Sequence, residues 1–253
     1  MPMIITEELL RNNFPPLIVK IAEKENYLND FLNGKLYMNS AGYFRKVENN
    51  YRGDPFDGKR PLNSDLIHIV IENPKTKERL FFDKTKGLKD LTMGFHGDDM
   101  VPIFCATLIT PEMLIIVNQT RCCIKKEYVD ELTKFGKYFT VVNLSSLRNK
   151  LIEYNNAHAG DSYFLASPIE YFDIESSMSL KVDENHKMGM YQDFFRKRKE
   201  YRMQNEYRLV LGSSSPMISE GNDHLWVNIG KVADSDIIPI ESLSSFTFSF
   251  ETD

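Results

Sequence analysis

Cysteine, long apolar runs and metal-ligand clusters are what this sequence has least of, and each shortage closes off a class of protein. Its three cysteines, Cys105, Cys122 and Cys123, have no metal-ligand spacing, and adjacent cysteines rarely close a disulfide on one another. Reduced thiols in a cytoplasmic setting are therefore expected. No apolar stretch approaches the roughly 20 residues that span a bilayer, and the N-terminus (MPMIITEELLRNN) has no basic segment leading into an apolar one. Neither a membrane span nor a secretory signal is expected. His68, His96, His158, His186 and His224 are scattered, with no HExxH pair or His/Cys cluster, so no metal site is expected. GxSxG, P-loop and GxGxxG motifs are missing too, which removes the usual support for a hydrolase or a nucleoside triphosphatase.

No stretch rich in proline, glycine or serine separates two independently patterned halves, and no fixed-period repeat occurs, so one domain over residues 1–253 is the simpler expectation. What is present supports a packed core: 42% of residues are apolar, with 17 Phe and 12 Tyr. A net charge of −5 argues against a surface matched as a whole to nucleic acid, while leaving room for a local basic patch.

Patterning then predicts the elements. A short helix over 6–12 stops at Pro15-Pro16, a strand follows over 17–22, and a helix over 25–33 places Leu28, Phe31 and Leu32 on one face, with Gly34 as a left-handed cap. Residues 35–39 read as a strand and 42–58 as a long ordered loop dense in turn formers. A hairpin is predicted from 66–72 and 79–82, and strands at 101–109 and 137–143. Helices are predicted over 125–135, closed by Gly136, and over 145–155, capped by a serine. A strand interrupted by Pro168 covers 163–172, a basic, aromatic helix 191–199, a strand 206–211, and two or three further strands end at Phe250. Local hairpins mixed with helix crossovers, without regular βα alternation, point to an α+β fold of mixed or antiparallel sheets with peripheral helices.

Three segments carry candidate chemistry. In YRGDPFDG (51–58), two carboxylates, an arginine and two glycines share a loop. Asp54 and Asp57 there could serve a site, or equally form side-chain turns with Arg52 pairing one of them. In YRMQNEYRLVL (201–211), Gln204 and Glu206 sit two apart at the entry to a strand and would share a face. A carboxylate with an amide beside it suits a ribose hydroxyl and an oxocarbenium-like transition state, which is glycosyl-transfer chemistry. A salt bridge from Glu206 to Arg208 is the plainer alternative. In FFRKRKEYR (194–202), the cations Arg196, Lys197, Arg198, Lys199 and Arg202 beside aromatic rings suit a phosphate-bearing or single-stranded partner, or else a solvated helix face over a Phe-Phe anchor.

The order of FLNGKLYMNSAGYFR, YRGDPFDG, FGKYFTVVN and FFRKRKEYRMQNEYRLVL resembles that of an uncharacterised family of bacterial and phage proteins. More distantly, the chain is similar to ADP-ribosyltransferases, including DNA-modifying toxins, in which a strand, a helix and a Gly-ended turn precede a second strand and a late Gln-x-Glu or Glu-x-Glu carries catalysis. That likeness implies a split β-sandwich fold acting on NAD in phage or mobile-element defence or counter-defence. It implies catalytic roles for Glu206, which would orient the nicotinamide ribose, and Gln204, which would face the acceptor. Lys20 would stand where the transferases carry Arg or His on the first core strand, no Ser-Thr-Ser motif follows, and Arg45, Arg52, Asp54 and Asp57 would join Lys20 around the cofactor. The rival expectation is a non-enzymatic protein that holds a protein or nucleic-acid partner with the YRGDPFDG loop and the basic 194–202 segment.

Overall fold

The computed structural model describes residues 4–47, 53–61, 69–82, 85, 92–173, 189–219 and 221–249. The chain opens with α1 (Glu7–Asn13), β1 (Leu17–Ala22), α2 (Glu25–Leu32), β2 (Lys35–Ser40) and α3 (Ala41–Lys46). Short strands β3 (Arg60–Pro61), β4 (Ile69–Glu72), β5 (Arg79–Phe82) and β6 (Thr92–Met93) lead to β7 (Pro102–Ile109). Then come β8 (Leu114–Asn118), β9 (Arg121–Ile124), α4 (Lys126–Leu132), β10 (Tyr138–Asn143), α5 (Leu144–Ala157), β11 (Ser162–Pro168) and β12 (Glu170–Phe172). The last elements are β13 (Arg196–Arg198), β14 (Glu206–Ser213), β15 (His224–Asn228), β16 (Ile238–Pro239) and β17 (Thr247–Ser249).

The α+β class and antiparallel sheets expected from the sequence are what the structure has. An eight-stranded antiparallel sheet runs β11-β14-β7-β1-β10-β16, with β2 also on β7 and β15 on β2. β17, β9 and β8 make a separate three-stranded sheet, β4 pairs β5, and β12 and β13 pair in parallel. The predicted hairpin is present over the described part of its span; 66–68 lie outside the described residues. One face of the large sheet packs on a core containing Ile18, Phe31, Leu36, Met38, Phe104 and Leu209. Ile103 and Val210 meet Phe194 and Tyr191 on the other face, and Val19 and Phe139 belong to a third cluster with α4. No helix among the described residues is long and apolar enough to cross a membrane.

The feature that positions the site is a parting of β1 and β2 on one side of β7. Leu17–Val19 pair with Thr107–Ile109, and Asn39–Ser40 pair with Pro102–Ile103. Between them, no described strand pairs Phe104–Ala106 on that side. Buried carbonyls need a partner, and Lys20 supplies one: its Nζ donates to Cys105 O at 2.6 Å and lies 4.1 Å from the centre of the Phe104 ring. Helix α2 crosses from β1 to β2 with Leu28, Phe31 and Leu32 buried, as its spacing predicted, and Phe31 stacks on Phe104 at 5.4 Å. The turn into β2 needs glycine, because Gly34 has φ +84° and a Cβ would fall 1.9 Å from Gly230 O.

Three local expectations fail for identifiable reasons. The stretch 42–58 is not all loop: α3 fills Ala41–Lys46, capped by Ser40 Oγ accepting from Tyr43 N at 3.0 Å. It has no apolar stripe to announce it. Its Ala41 and Gly42 are buried, Gly42 against Asp99, so tertiary packing holds it. The cap of α5 is Asn143, whose Oδ1 accepts from Ser145 N at 2.8 Å, and not a serine. The basic run is no α-helix: 3-10 turns over Gly189–Phe195 and Lys199–Gln204 flank the strand β13.

Candidate functional site

A cavity of about 430 Å³ opens where β1 and β2 part, a size within the usual range for ligand pockets. Its walls include Lys20 from β1, Tyr27 and Phe31 from α2, Lys35, Tyr37 and Asn39 from β2, and Phe104 to Thr107 from β7. Gln204, Glu206, Arg208 and Lys197 complete one wall, Tyr43 and Phe44 of α3 another. The lining is therefore rich in aromatic and cationic groups, with the Glu206 carboxylate at its floor and Glu23 also on its wall.

That floor is a buried ionic cluster. Glu206 and Arg208 lie on one face of β14, opposite Thr107 and Cys105 of β7, and Arg208 Nε donates to Glu206 Oε1 at 2.6 Å. Arg208 also grips Asp57, with Nη1 to Oδ1 at 2.5 Å and Nη2 to Oδ2 at 3.1 Å, and donates to Phe194 O at 2.8 Å. Lys197 Nζ donates to Glu206 Oε2 at 3.1 Å and to Gln204 Oε1 at 2.8 Å. Arg208 is 0% exposed and Lys197 3%. Such charges stay buried only when paired, and here two acids face two bases.

The electrostatics follow from that pairing. Burial alone would raise the Glu206 carboxyl, but Arg208 and Lys197, with the Cys105 thiol also donating to it, hold it far below its ordinary value. Burial raises Asp57 against the pull of Arg208 and Lys197. Lys197 is held above its ordinary value: burial, the largest single influence, opposes this, and Glu206 and Asp57 act against it to raise the ammonium. Burial also pushes the Cys105 thiol up, and Glu206 adds to that, so this cysteine is no thiolate nucleophile.

Gln204 and Glu206 do meet, though not as side chains two apart on a strand. Gln204 closes a 3-10 turn, Asn205 takes a left-handed conformation with φ +41°, and β14 starts at Glu206. Asn205 is held there by Nδ2 donating to Leu108 O at 2.6 Å, and it is Lys197 that draws the amide and the carboxylate together.

The acidic loop backs this wall instead of lining it. Asp54 and Asp57 are 1% and 0% exposed. Asp54 Oδ1 accepts from Phe56 N at 3.0 Å, the side-chain turn weighed above, and from Arg198 Nε at 3.2 Å. Tyr201 Oη donates to Gly53 O at 2.8 Å, and Arg60 holds Asp193 through contacts of 3.0 to 3.2 Å. Arg45 donates to Asp57 O at 2.6 Å and Asp98 Oδ1 at 2.8 Å, and also pairs with Asp99. Arg52 lies outside the described residues. Of the residues singled out from sequence, then, Lys20, Gln204 and Glu206 share the cavity, while Arg45, Asp54 and Asp57 form its support.

Within the basic run, Arg196 pairs with Glu170 and Asp193 and is buried, as is Lys197, while Arg198 binds Asp54 and stands over the Phe56 and Tyr201 rings. Lys199 and Arg202 are exposed. A cationic face of five residues for a nucleic acid is not formed. The Glu206–Arg208 salt bridge weighed as the plainer alternative is present, whereas Lys197, read as part of a partner-binding run, turns inward to Glu206 and Gln204. The full burial of Arg208 was signalled by a charge inside the apolar run of β14, a position that requires carboxylate partners, here Glu206 and Asp57.

Comparison of this chain with family models, with curated proteins and with solved structures finds no match.

Proposed function

We propose that this chain is an ADP-ribosyltransferase-like enzyme of the phage or mobile-element defence or counter-defence type, which breaks the bond between nicotinamide and ribose in NAD. The observation that carries this is the ionised Glu206 beside Gln204 at the floor of the aromatic, cationic cavity between β1 and β2. As the C–N bond breaks, its electron pair leaves with nicotinamide and positive charge grows on the ribose ring. A fixed carboxylate stabilises that charge without having to reorganise. An acceptor oxygen then bonds to the anomeric carbon and releases its proton to solvent. Gln204 faces the acceptor, and Lys20 is placed for the diphosphate. The lining suits such a molecule: Tyr37 and Trp226 carry partly exposed rings and Lys20 and Lys35 carry cations, while Phe31 and Phe104 are buried and stacked on each other.

A second reading is favoured by one observation, the engagement of both Glu206 oxygens by Arg208 and Lys197. A carboxylate so neutralised would help hold NAD without cleaving it, giving a binding domain with no turnover. Incubation with NAD and chromatography of released nicotinamide separates the two. Release by the wild-type chain and none by Glu206→Gln supports the enzyme; calorimetric binding without release supports the binder; neither binding nor release at millimolar NAD removes both.

A further inference from the structure

The outer part of the cavity wall carries a feature with no role in that chemistry. On β2, Lys35, Tyr37 and Asn39 point into the cavity while Leu36 and Met38 are fully buried in the core behind. Strand β15 pairs with β2 so that Trp226 lies opposite Tyr37 and His224 opposite Asn39, with Val227 buried on the core side. Tyr37 contacts Trp226 at a ring separation of 5.0 Å and His224 at 4.9 Å. Yet Tyr37 and Trp226 remain 41% and 46% exposed, and Tyr27 of α2 beside them 47%. Cross-strand packing of Tyr37 on Trp226 stabilises the β2–β15 pair by up to about 1 kcal/mol, yet it leaves both rings and Tyr27 of α2 partly exposed around one opening.

We propose that the Tyr37–Trp226 pair is the stacking subsite for the purine base of the dinucleotide, an assignment that rests on the NAD reading above. Geometry favours the purine over the nicotinamide end. From Glu206 the sheet runs β14, β7, β2, β15. At about 4.8 Å per strand this sets the backbone of Trp226 roughly 14 Å or more from that of Glu206. The ring at the far end of an extended dinucleotide spans such a separation better than a nicotinamide whose glycosidic bond lies at Glu206. Lys20 reaches the Cys105 carbonyl on β7, the strand between the two ends, where the diphosphate of such a ligand would pass. Base stacking on aromatic side chains is worth about 1–3 kcal/mol per base and needs no hydrogen-bond readout.

Trp226 is the single tryptophan of the chain, so indole emission reports on this position alone. Emission of the full chain is followed during titration with NAD, adenosine monophosphate and nicotinamide mononucleotide, and calorimetry is run on Trp226→Ala and Tyr37→Ala. Quenching by NAD and adenosine monophosphate but not by nicotinamide mononucleotide is expected, with affinity for adenosine monophosphate lowered about tenfold in each variant. Equal quenching by both mononucleotides overturns the purine assignment. Cleavage of NAD with emission and variant affinities unchanged overturns the platform and leaves the glycosyl-transfer reading standing. Quenching by adenosine monophosphate without NAD cleavage keeps the platform and removes that reading. No response to any ligand removes both.

Discussion

Asp57 and Arg208 are 151 residues apart in sequence and form a two-point clamp, at 2.5 and 3.1 Å, with both side chains 1% exposed. This clamp joins the acidic loop to the strand that carries Glu206. Losing one member strands the other as a buried charge, so Asp57→Ala should cost about 3–5 kcal/mol in urea denaturation. Arg208→Lys should not restore the clamp, because an ammonium cannot make the forked contact. Asp57→Ala with Arg208→Met should be more stable than Asp57→Ala alone; a double variant that is weaker still would mean that the pair is not the main tie.

Glu206→Gln looks conservative by shape but is not so here, since it removes the charge that two buried cations face. Its stability loss should fall toward the lower end of about 3–5 kcal/mol, measurable by thermal melting. Nicotinamide release should fall by about a hundredfold or more if the carboxylate stabilises the transition state. Gln204→Ala should keep NAD hydrolysis and lose transfer to an acceptor. Equal loss of both would remove Gln204 from the acceptor side.

The pH dependence has a definite sign. The Glu206 carboxyl is depressed below its ordinary 4.5 in the folded chain. Its ionised form therefore stabilises the fold fully above that pH, and the contribution drains away as pH falls below it. Asp57, displaced upward, acts in the opposite sense. Melting temperatures of the wild-type chain and Glu206→Gln should thus be furthest apart near neutrality and converge below pH 4.5. A gap that widens on acidification would reverse the assignment.

Gly58 and Gly160 offer a matched pair, with φ +67° and +97°. A Cβ on Gly58 would fall 2.2 Å from the Phe194 ring, whereas on Gly160 it would meet nothing within 4 Å. Gly160→Ala should cost about 1 kcal/mol from the backbone alone. Gly58→Ala should add a packing cost of about 1–3 kcal/mol, read as a larger drop in melting temperature.

The strands were legible because their chemistry is local. Leu17–Ala22, Tyr138–Asn143 and Glu206–Ser213 carry β-branched and apolar residues in the sequence itself. The helix at Ala41–Lys46 and the strand at Arg196–Arg198 were not, because what fixes them is distant: Asp99 against Gly42, Glu170 and Asp193 around Arg196, Glu206 against Lys197. A run of cations looks solvated until the acids that neutralise it are known. The late Gln-x-Glu was visible as a motif, but its geometry depended on the left-handed Asn205 and on Lys197, neither of which strand periodicity reports.

Asp57, Arg208, Glu206 and Lys197 together hold equal numbers of positive and negative charges within a wall that water hardly reaches. An approaching ion therefore meets dipoles there and feels no net long-range pull from them. Nearer solvent, Lys35 is itself paired with Asp30 at 3.3 Å, so at a distance that pair too is close to neutral. Capture of an anion should therefore depend little on ionic strength, and the dwell time of a seated molecule should hardly change either.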